Sequence, residues 1–182
     1  MIINTTNRKI LVRSNLSQKD EVVINGVTLK TAGLFDSNYR EKSPTIAEVV
    51  TGNRYLKSGD IIVCHHNTFY EPSPYYLEED LFSIPYDKIV FGTLDENGNI
   101  SPLNGNIICQ RIPIDSRPEI PIQYRKTFID RATVLDARWT PYKKGQTILH
   151  RLNAGYDIVY NLGGVEYRVT KVHESQIVGI LE

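Results

Sequence analysis

Short apolar runs separated by turn residues follow one another along almost the whole chain, and they restrict the fold more than any other feature. The runs are rich in Val, Ile and Tyr and occupy residues 9–13, 21–24, 47–50, 60–64, 88–92, 106–112, 132–137, 146–152, 157–162 and 166–172. Asn-Gly, Ser-Gly and Gly-Gly dipeptides lie between many of them, as is typical of β-turns. No long window keeps an uninterrupted helical apolar period. This pattern predicts an all-β protein built as a barrel or a sandwich.

Composition restricts the partners and the compartment. The chain has 182 residues, of which 41% are hydrophobic, enough for a packed core. Lys plus Arg equals Asp plus Glu, 21 each, which argues against a nucleic-acid partner, and no polybasic run indicates a membrane surface. The only cysteines, Cys64 and Cys109, lie far apart and indicate no disulfide framework, so a reducing compartment is expected. Residues 1–13 lack the long apolar run that is typical of a signal peptide. A soluble cytoplasmic protein is expected.

The sequence also repeats itself. Three pairs of segments match: 9–13 with 106–111, 47–63 with 132–149, and 82–94 with 167–181. The offset falls from 97 residues at the first pair to 85–88 afterwards, because the loop 14–46 is longer than its counterpart 112–131. The repeat predicts two small domains, 1–94 and 95–182, with a Pro-, Tyr- and acid-rich insert at 65–81 in the first.

The second copy carries motifs of a known family. It opens with "SPLNGNIICQRI", continues through "KKGQTILHRLNAGYDI" and ends in "VEYRVTKVHESQIVGILE"; the first copy adds "KSGDIIV". In order and spacing these motifs resemble the chaperonin-10 (GroES) co-chaperonins. The resemblance implies two tandem GroES-like, partly open β-barrels. The chain departs from the family at the roof hairpin, which should lie between the strand 47–50 and the turn "KSGD". Only "TGNRYL" occupies that place in the first copy, and only "DARWTPY" occupies the corresponding place in the second.

The resemblance also implies a partner-binding loop after the first strand. Val27, Thr28 and Leu29 match the hydrophobic tripeptide with which this family binds the chaperonin ring, and Ile120 and Ile122 are the comparable residues in the second copy. A second interpretation comes from the residues alone. Asn25-Gly26 predicts a tight β-hairpin in which residues 22–24 pair with those that follow the turn. The two interpretations are compatible, because such a loop can form a hairpin when it binds.

Exposed aromatic residues are a second candidate contact surface. Tyr70, Tyr75 and Tyr76 alternate with prolines, and Trp139 lies in the second reduced roof turn. Tyrosine and tryptophan on rigid turns are frequent contact residues in protein interfaces. The alternative is that these rings cover the end of their own barrel.

No residue pattern in the sequence indicates a catalytic or metal-binding site. Cys64-His65-His66 suggests zinc, but neighbours on a strand point to opposite faces and no paired ligand spacing is present. Nucleophile elbows, phosphate loops and metalloprotease helices are also missing from the sequence. We therefore expect no catalytic residues, no metal and no cofactor, and the chain is not expected to be an enzyme.

Two functions agree with these features. The first is a co-chaperonin-like protein that docks on a chaperonin ring through its loop hydrophobics and assists protein folding, as a homo-oligomer. The alternative is a structural assembly protein, such as a viral capsid or tail component, in which the barrels serve subunit packing and the location is the virion. Fold alone does not decide between them.

Overall fold

The computed structural model describes residues 8–14, 21–24, 27–30, 45–66, 68–69, 73–112, 129–151, 154–162 and 164–181. Its elements are strands connected by turns, so the predicted all-β class is confirmed. The chain divides into two compact units, residues 1–90 and 91–182. The predicted boundary lay four residues later, after Leu94. No helix in the described parts has the length and apolar character needed to cross a membrane.

Unit 1 holds the first seven strands. They are β1 (Lys9–Arg13), β2 (Glu21–Ile24), β3 (Val27–Lys30), β4 (Ile46–Thr51), β5 (Ile61–Cys64), β6 (Tyr76–Glu78) and β7 (Leu81–Pro85), followed by the helical turn α1 (Tyr86–Ile89). Five of them are neighbours in one antiparallel sheet, in the order β6-β7-β1-β4-β5. The hairpin β2-β3 forms a separate two-stranded sheet.

Unit 2 begins within β8 (Val90–Leu94), which pairs with β9 (Ile100–Pro102). The other strands are β10 (Asn106–Arg111), β11 (Ile129–Asp136), β12 (Thr147–Arg151), β13 (Tyr156–Leu162), β14 (Val165–His173) and β15 (Ile177–Leu181). They form a sheet in the order β13-β14-β10-β11-β12-β15. Among the residues that the structure describes, this sheet is open, with β13 and β15 at its edges, and does not close into a barrel.

The two units share one strand order. The order β6-β7-β1-β4-β5 recurs as β13-β14-β10-β11-β12, and the last strand of each sequence repeat, β8 or β15, follows a short helical turn. The register agrees in detail. The β1-β4 pairing is interrupted between Leu11 and Val12, and the β10-β11 pairing between Ile108 and Cys109, 97 residues further on. Such bulges kink a sheet locally, so the repeat extends to the shape of the backbone.

The turn that precedes β5 in unit 1 has a duplicate before β12 in unit 2. Gly59 N donates to the Val49 carbonyl at 2.8 Å, and Gly145 N donates to the Val134 carbonyl at the same distance. Both glycines have positive φ, +90° and +86°, a conformation that glycine adopts without steric cost. "KSGD" and "KKGQ" therefore form the same turn.

Each unit has its own apolar core, made by equivalent positions. These are Ile10 and Ile107, Ala47 and Ala132, Val49 and Val134, Ile62 and Ile148, and Ile84 and Val172, each no more than 3% exposed. Burial of a branched apolar side chain stabilises a fold by roughly 1.5–3 kcal/mol. The repeated apolar positions thus explain why both halves of the sequence form the same sheet.

The strand predicted at 88–92 was wrong at its start. Residues 86–89 form the helical turn α1, and the strand begins at Val90. The peptide N–H of Tyr86 donates to the Arg8 carbonyl at 2.9 Å, which ties this turn to the residue that precedes β1. The partner in this hydrogen bond is far away in the sequence, so the local apolar pattern could not reveal the turn.

Candidate binding surfaces

The hairpin β2-β3 has one face made only of apolar residue types. Its register pairs Val22 with Leu29 and Ile24 with Val27. Directly paired residues lie on the same face of an antiparallel ladder, and residues two apart along a strand share that face. Positions 22, 24, 27 and 29 therefore form one face. The hairpin predicted from Asn25-Gly26 is confirmed by the pairing of the strands on either side of it.

The register separates the three residues of the proposed tripeptide. Thr28 pairs with Val23, and Lys30 pairs with Glu21, so these four positions form the opposite face. Val27 and Leu29 thus share a face from which Thr28 is excluded. Two residues that the resemblance did not single out, Val22 and Ile24, complete it. Their period-2 spacing around the Asn-Gly turn is the sequence signal that could have identified them.

Three other predicted contact residues fall in parts of the chain that the structure does not describe. Ile120 and Ile122 lie outside the described residues, as does Tyr70. The candidate surface in the second copy therefore stays a sequence prediction.

Tyr76 begins the edge strand β6 of the sheet in unit 1, Tyr75 directly precedes it, and both side chains are half-buried. The Tyr76 ring packs edge to face against the Phe82 ring, with centroids 5.7 Å apart. The Phe69 ring also packs edge to face against the Phe82 ring, with centroids 5.2 Å apart. The Tyr75 carbonyl accepts a 2.8 Å hydrogen bond from Ser83 N. Aromatic pairs with this geometry stabilise by roughly 0.5–1.5 kcal/mol beyond area burial. The described part of the insert therefore packs on its own sheet.

Trp139 has the opposite environment. Its side chain is 90% exposed, and its φ is +65°. The turn is held by Thr140, whose hydroxyl donates to the Ala137 carbonyl at 2.8 Å. A non-glycine residue in this conformation costs roughly 1–2 kcal/mol. The indole does not cover the core, so the interpretation of Trp139 as a packing lid is wrong, and it stays available for contact.

The cysteines and histidines are dispersed and mostly buried. Burial raises the pKa of the Cys64 thiol well above its usual value, and it raises that of Cys109 to about 12. The His65 and His66 rings stack on each other with centroids 4.4 Å apart. Within the described residues, no three His, Cys, Asp or Glu side chains lie close enough to hold a metal ion.

An aromatic cluster in unit 2 supports the turn between β8 and β9. Tyr160 Oη donates a 2.7 Å hydrogen bond to the Gly98 carbonyl, and its ring stacks on Tyr167 with centroids 5.2 Å apart. Asp95 accepts hydrogen bonds from the peptide N–H groups of Asn97 and Asn99 at 2.9 and 2.8 Å. These contacts fix the turn, and with it the position at which β9 meets β8.

Lys171 lies beside this cluster. Its Nζ is 4.3 Å from the centroid of the Phe91 ring and 5.9 Å from that of Tyr156, and burial lowers its pKa. A cation over aromatic faces is a stabilising arrangement that needs no ligand. A structural role accounts for this lysine.

The edge strand β15 exposes three large apolar side chains that the sequence analysis did not single out. Val178, Ile180 and Leu181 are 48%, 44% and 42% exposed. Exposed apolar edge strands tend to pair with another chain, which most soluble proteins prevent with charges or prolines. β15 contains neither.

No family model matches the sequence, and no curated protein matches it. The surfaces described above, the apolar face of the hairpin, Trp139 and the edge strand β15, are therefore what point to its function.

Proposed function

We propose that the chain is a non-enzymatic, co-chaperonin-like binding protein that docks on a chaperonin ring through the hairpin β2-β3. The observation that carries the proposal is the hairpin's register, which collects Val22, Ile24, Val27 and Leu29 on one face. The resemblance of the motifs to the chaperonin-10 family supports the choice of partner. The hairpin follows β1, where that family carries its binding loop.

Charge and chemistry agree with a binding role. The opposite face of the hairpin pairs Glu21 with Lys30, residue types that remain in water while an apolar face is bound. The four apolar residues would give modest affinity per copy, and a ring of copies would raise it through effective concentration. Burial raises the pKa of both cysteine thiols, so neither has the lowered pKa of an activated cysteine nucleophile.

The second candidate is a structural assembly protein. The exposed apolar edge of β15 favours it, because such an edge serves subunit packing whether or not a chaperonin is bound. The two functions differ in what covers the hairpin: a chaperonin in the first, and identical copies or nothing in the second.

Co-migration with a bacterial chaperonin on size exclusion, with and without ATP, tests the proposal. We expect nucleotide-dependent co-migration of the wild type, lost in Leu29→Asp and in Ile24→Asp. Thr28→Asp is the matched control, since it introduces the same charge on the opposite face and should still bind. If the wild type fails to bind in both nucleotide states, the co-chaperonin function is wrong. If Thr28→Asp fails as completely as Leu29→Asp, the apolar face is not the docking surface.

A further inference from the structure

The two turns at the positions of the roof hairpins carry the same pair of residue types. The turn between β4 and β5 holds Arg54 followed by Tyr55, and the turn between β11 and β12 holds Arg138 followed by Trp139. All four side chains are exposed. Arginine, tyrosine and tryptophan are the residues that most often dominate the energy of protein interfaces. The two turns are therefore comparable surfaces, one in each unit.

The two arginines differ in whether an acid neutralises them. Arg138 Nε lies 3.4 Å from Asp136 Oδ2, so its charge already has a partner. The first copy has the uncharged Thr51 at the position equivalent to Asp136. Among the residues that the structure describes, no carboxylate forms an ion pair with Arg54. Its guanidinium lies over the Tyr55 ring instead, with Cζ 4.5 Å from the ring centroid. Of the two turns, only the first thus presents a guanidinium without a charged partner.

The Tyr55 ring is held in place by a buried tyrosine. It stacks on the Tyr86 ring with centroids 5.5 Å apart and an interplanar angle of 13°. Tyr86 is 6% exposed, and its peptide N–H donates to the Arg8 carbonyl at 2.9 Å. Tyr55 itself is 56% exposed. The guanidinium of Arg54 therefore contacts an aromatic ring that packs on the protein and is still open to solvent.

Local hydrogen bonds fix the backbone that carries this pair. Asn53 Oδ1 accepts hydrogen bonds from Tyr55 N at 2.8 Å and from Leu56 N at 3.1 Å, and Asn53 N donates to the Leu56 carbonyl at 3.0 Å. The Leu56 side chain is buried, and a Cβ on Gly52 would overlap the Leu56 carbonyl oxygen. The turn is therefore tight and anchored in the core. A partner that binds it has little backbone to order, which lowers the entropic cost of binding.

An exposed guanidinium without an acid is complementary to a carboxylate. Its planar set of N–H donors can bind both oxygens of an Asp or Glu side chain at once. The chain as a whole has no excess of positive charge, since Lys plus Arg equals Asp plus Glu, so it does not match an extended polyanion such as nucleic acid. The exposed ring of Tyr55 adds an apolar surface against which a polypeptide can pack. These features fit an acidic segment of a protein.

We infer that the turn 52–57 binds an acidic segment of a partner protein. The Arg54 guanidinium pairs with a carboxylate of that segment, and the Tyr55 ring packs against its backbone and apolar atoms. The corresponding turn of unit 2 does not bind it in this way, because Asp136 already occupies Arg138. The inference does not depend on the proposed chaperonin partner, because it does not use the hairpin β2-β3 and is tested without a chaperonin.

The first test is an NMR titration of the full chain with a tetraglutamate peptide whose termini are blocked, followed at the Nε–H resonances of the arginines. We expect a saturable shift at Arg54 and none at Arg138. Arg54→Gln should weaken binding by roughly tenfold or more, the cost of one hydrogen-bonded charge. Arg138→Gln is the matched control, since it removes the same residue type from the equivalent turn, and it should change affinity by less than about twofold. The absence of a saturable shift at Arg54 overturns the inference, as do equal losses in the two variants.

A second test separates recognition of a carboxylate from general attraction between charges. Arg54→Lys keeps the charge but loses the planar donors, so it should bind tetraglutamate more weakly than wild type. Tyr55→Ala should also bind more weakly, with an unchanged circular dichroism spectrum. Tetralysine should not bind. An Arg54→Lys or Tyr55→Ala variant that binds as tightly as wild type overturns the assigned contacts. An oligothymidylate that binds the turn as tightly as tetraglutamate overturns the choice of an acidic protein segment.

Discussion

Tyr160 Oη donates a 2.7 Å hydrogen bond to the carbonyl oxygen of Gly98, 62 residues away in sequence. Both residues are buried, and a Cβ on Gly98 would lie 2.8 Å from Cζ of Tyr167, the ring stacked on Tyr160. This contact fastens the turn between β8 and β9 to strand β13.

Tyr160→Phe keeps the stacked ring but leaves the Gly98 carbonyl without its donor. We expect the free energy of unfolding to fall by about 1–3 kcal/mol, measured by urea denaturation. Tyr167→Phe is the control; it retains the stack and should change stability by less than about 0.5 kcal/mol. Equal losses in both variants would contradict the role assigned to the hydrogen bond.

The same hydroxyl predicts a pH dependence. Burial raises the pKa of Tyr160 to about 12, whereas an unfolded tyrosine titrates near 10. The folded state holds the proton more tightly, so its contribution to stability is complete below about pH 10 and is lost as the pH rises towards about 12. Urea midpoints of wild type should therefore fall across this interval more steeply than those of Tyr160→Phe. Parallel pH profiles would contradict the raised pKa.

The duplicated turn predicts equal costs in both units. Gly59→Ala and Gly145→Ala meet no atom within 4 Å, but both positions have positive φ. Each substitution should destabilise by about 1–2 kcal/mol, because the cost is backbone strain alone. Gly179→Ala, at a position without positive φ, is the control and should change stability by less than about 0.5 kcal/mol. Thermal denaturation of the three variants checks this, and a neutral Gly145→Ala would contradict the turn geometry.

The buried thiols should be protected. Cys64 and Cys109 are both fully buried, and burial raises the pKa of each. Since the thiolate is the reactive form, iodoacetamide at pH 8 should modify neither in the native protein and both in urea. Mass spectrometry counts the adducts. Rapid modification of either thiol without denaturant would contradict the packing of its strand.

Trp139 should behave as a surface residue held in a strained conformation. Its fluorescence should be fully accessible to acrylamide, because the side chain is 90% exposed. Trp139→Asn should preserve or raise the free energy of unfolding by up to about 1 kcal/mol, since asparagine tolerates positive φ better. Circular dichroism follows this unfolding without the tryptophan. A loss above 1 kcal/mol would show that the indole stabilises the fold.

Local sequence was sufficient for most of the fold. The strand positions follow from Val- and Ile-rich runs between Gly and Asn turns, and Asn25-Gly26 marked the hairpin whose strands pair as Ile24 with Val27. The match of residues 9–13 with 106–111 indicated the repeat, and equivalent residues such as Ile10 and Ile107 are buried in the core of their own unit. These features depend on side-chain periodicity and turn chemistry, which are properties of neighbouring residues.

Tertiary structure decided what the surface offers. The sequence alone left open whether Trp139 covers the core or faces water, and it gave no reason to treat Gly92 and Gly179 differently. Phe91 is buried and Val178 is exposed, and this difference depends on which strand lies beside each residue. Burial and close approach are set by residues far away in the chain, so no local pattern could reveal that one glycine is enclosed by a neighbouring strand while its equivalent lies open at the edge of a sheet.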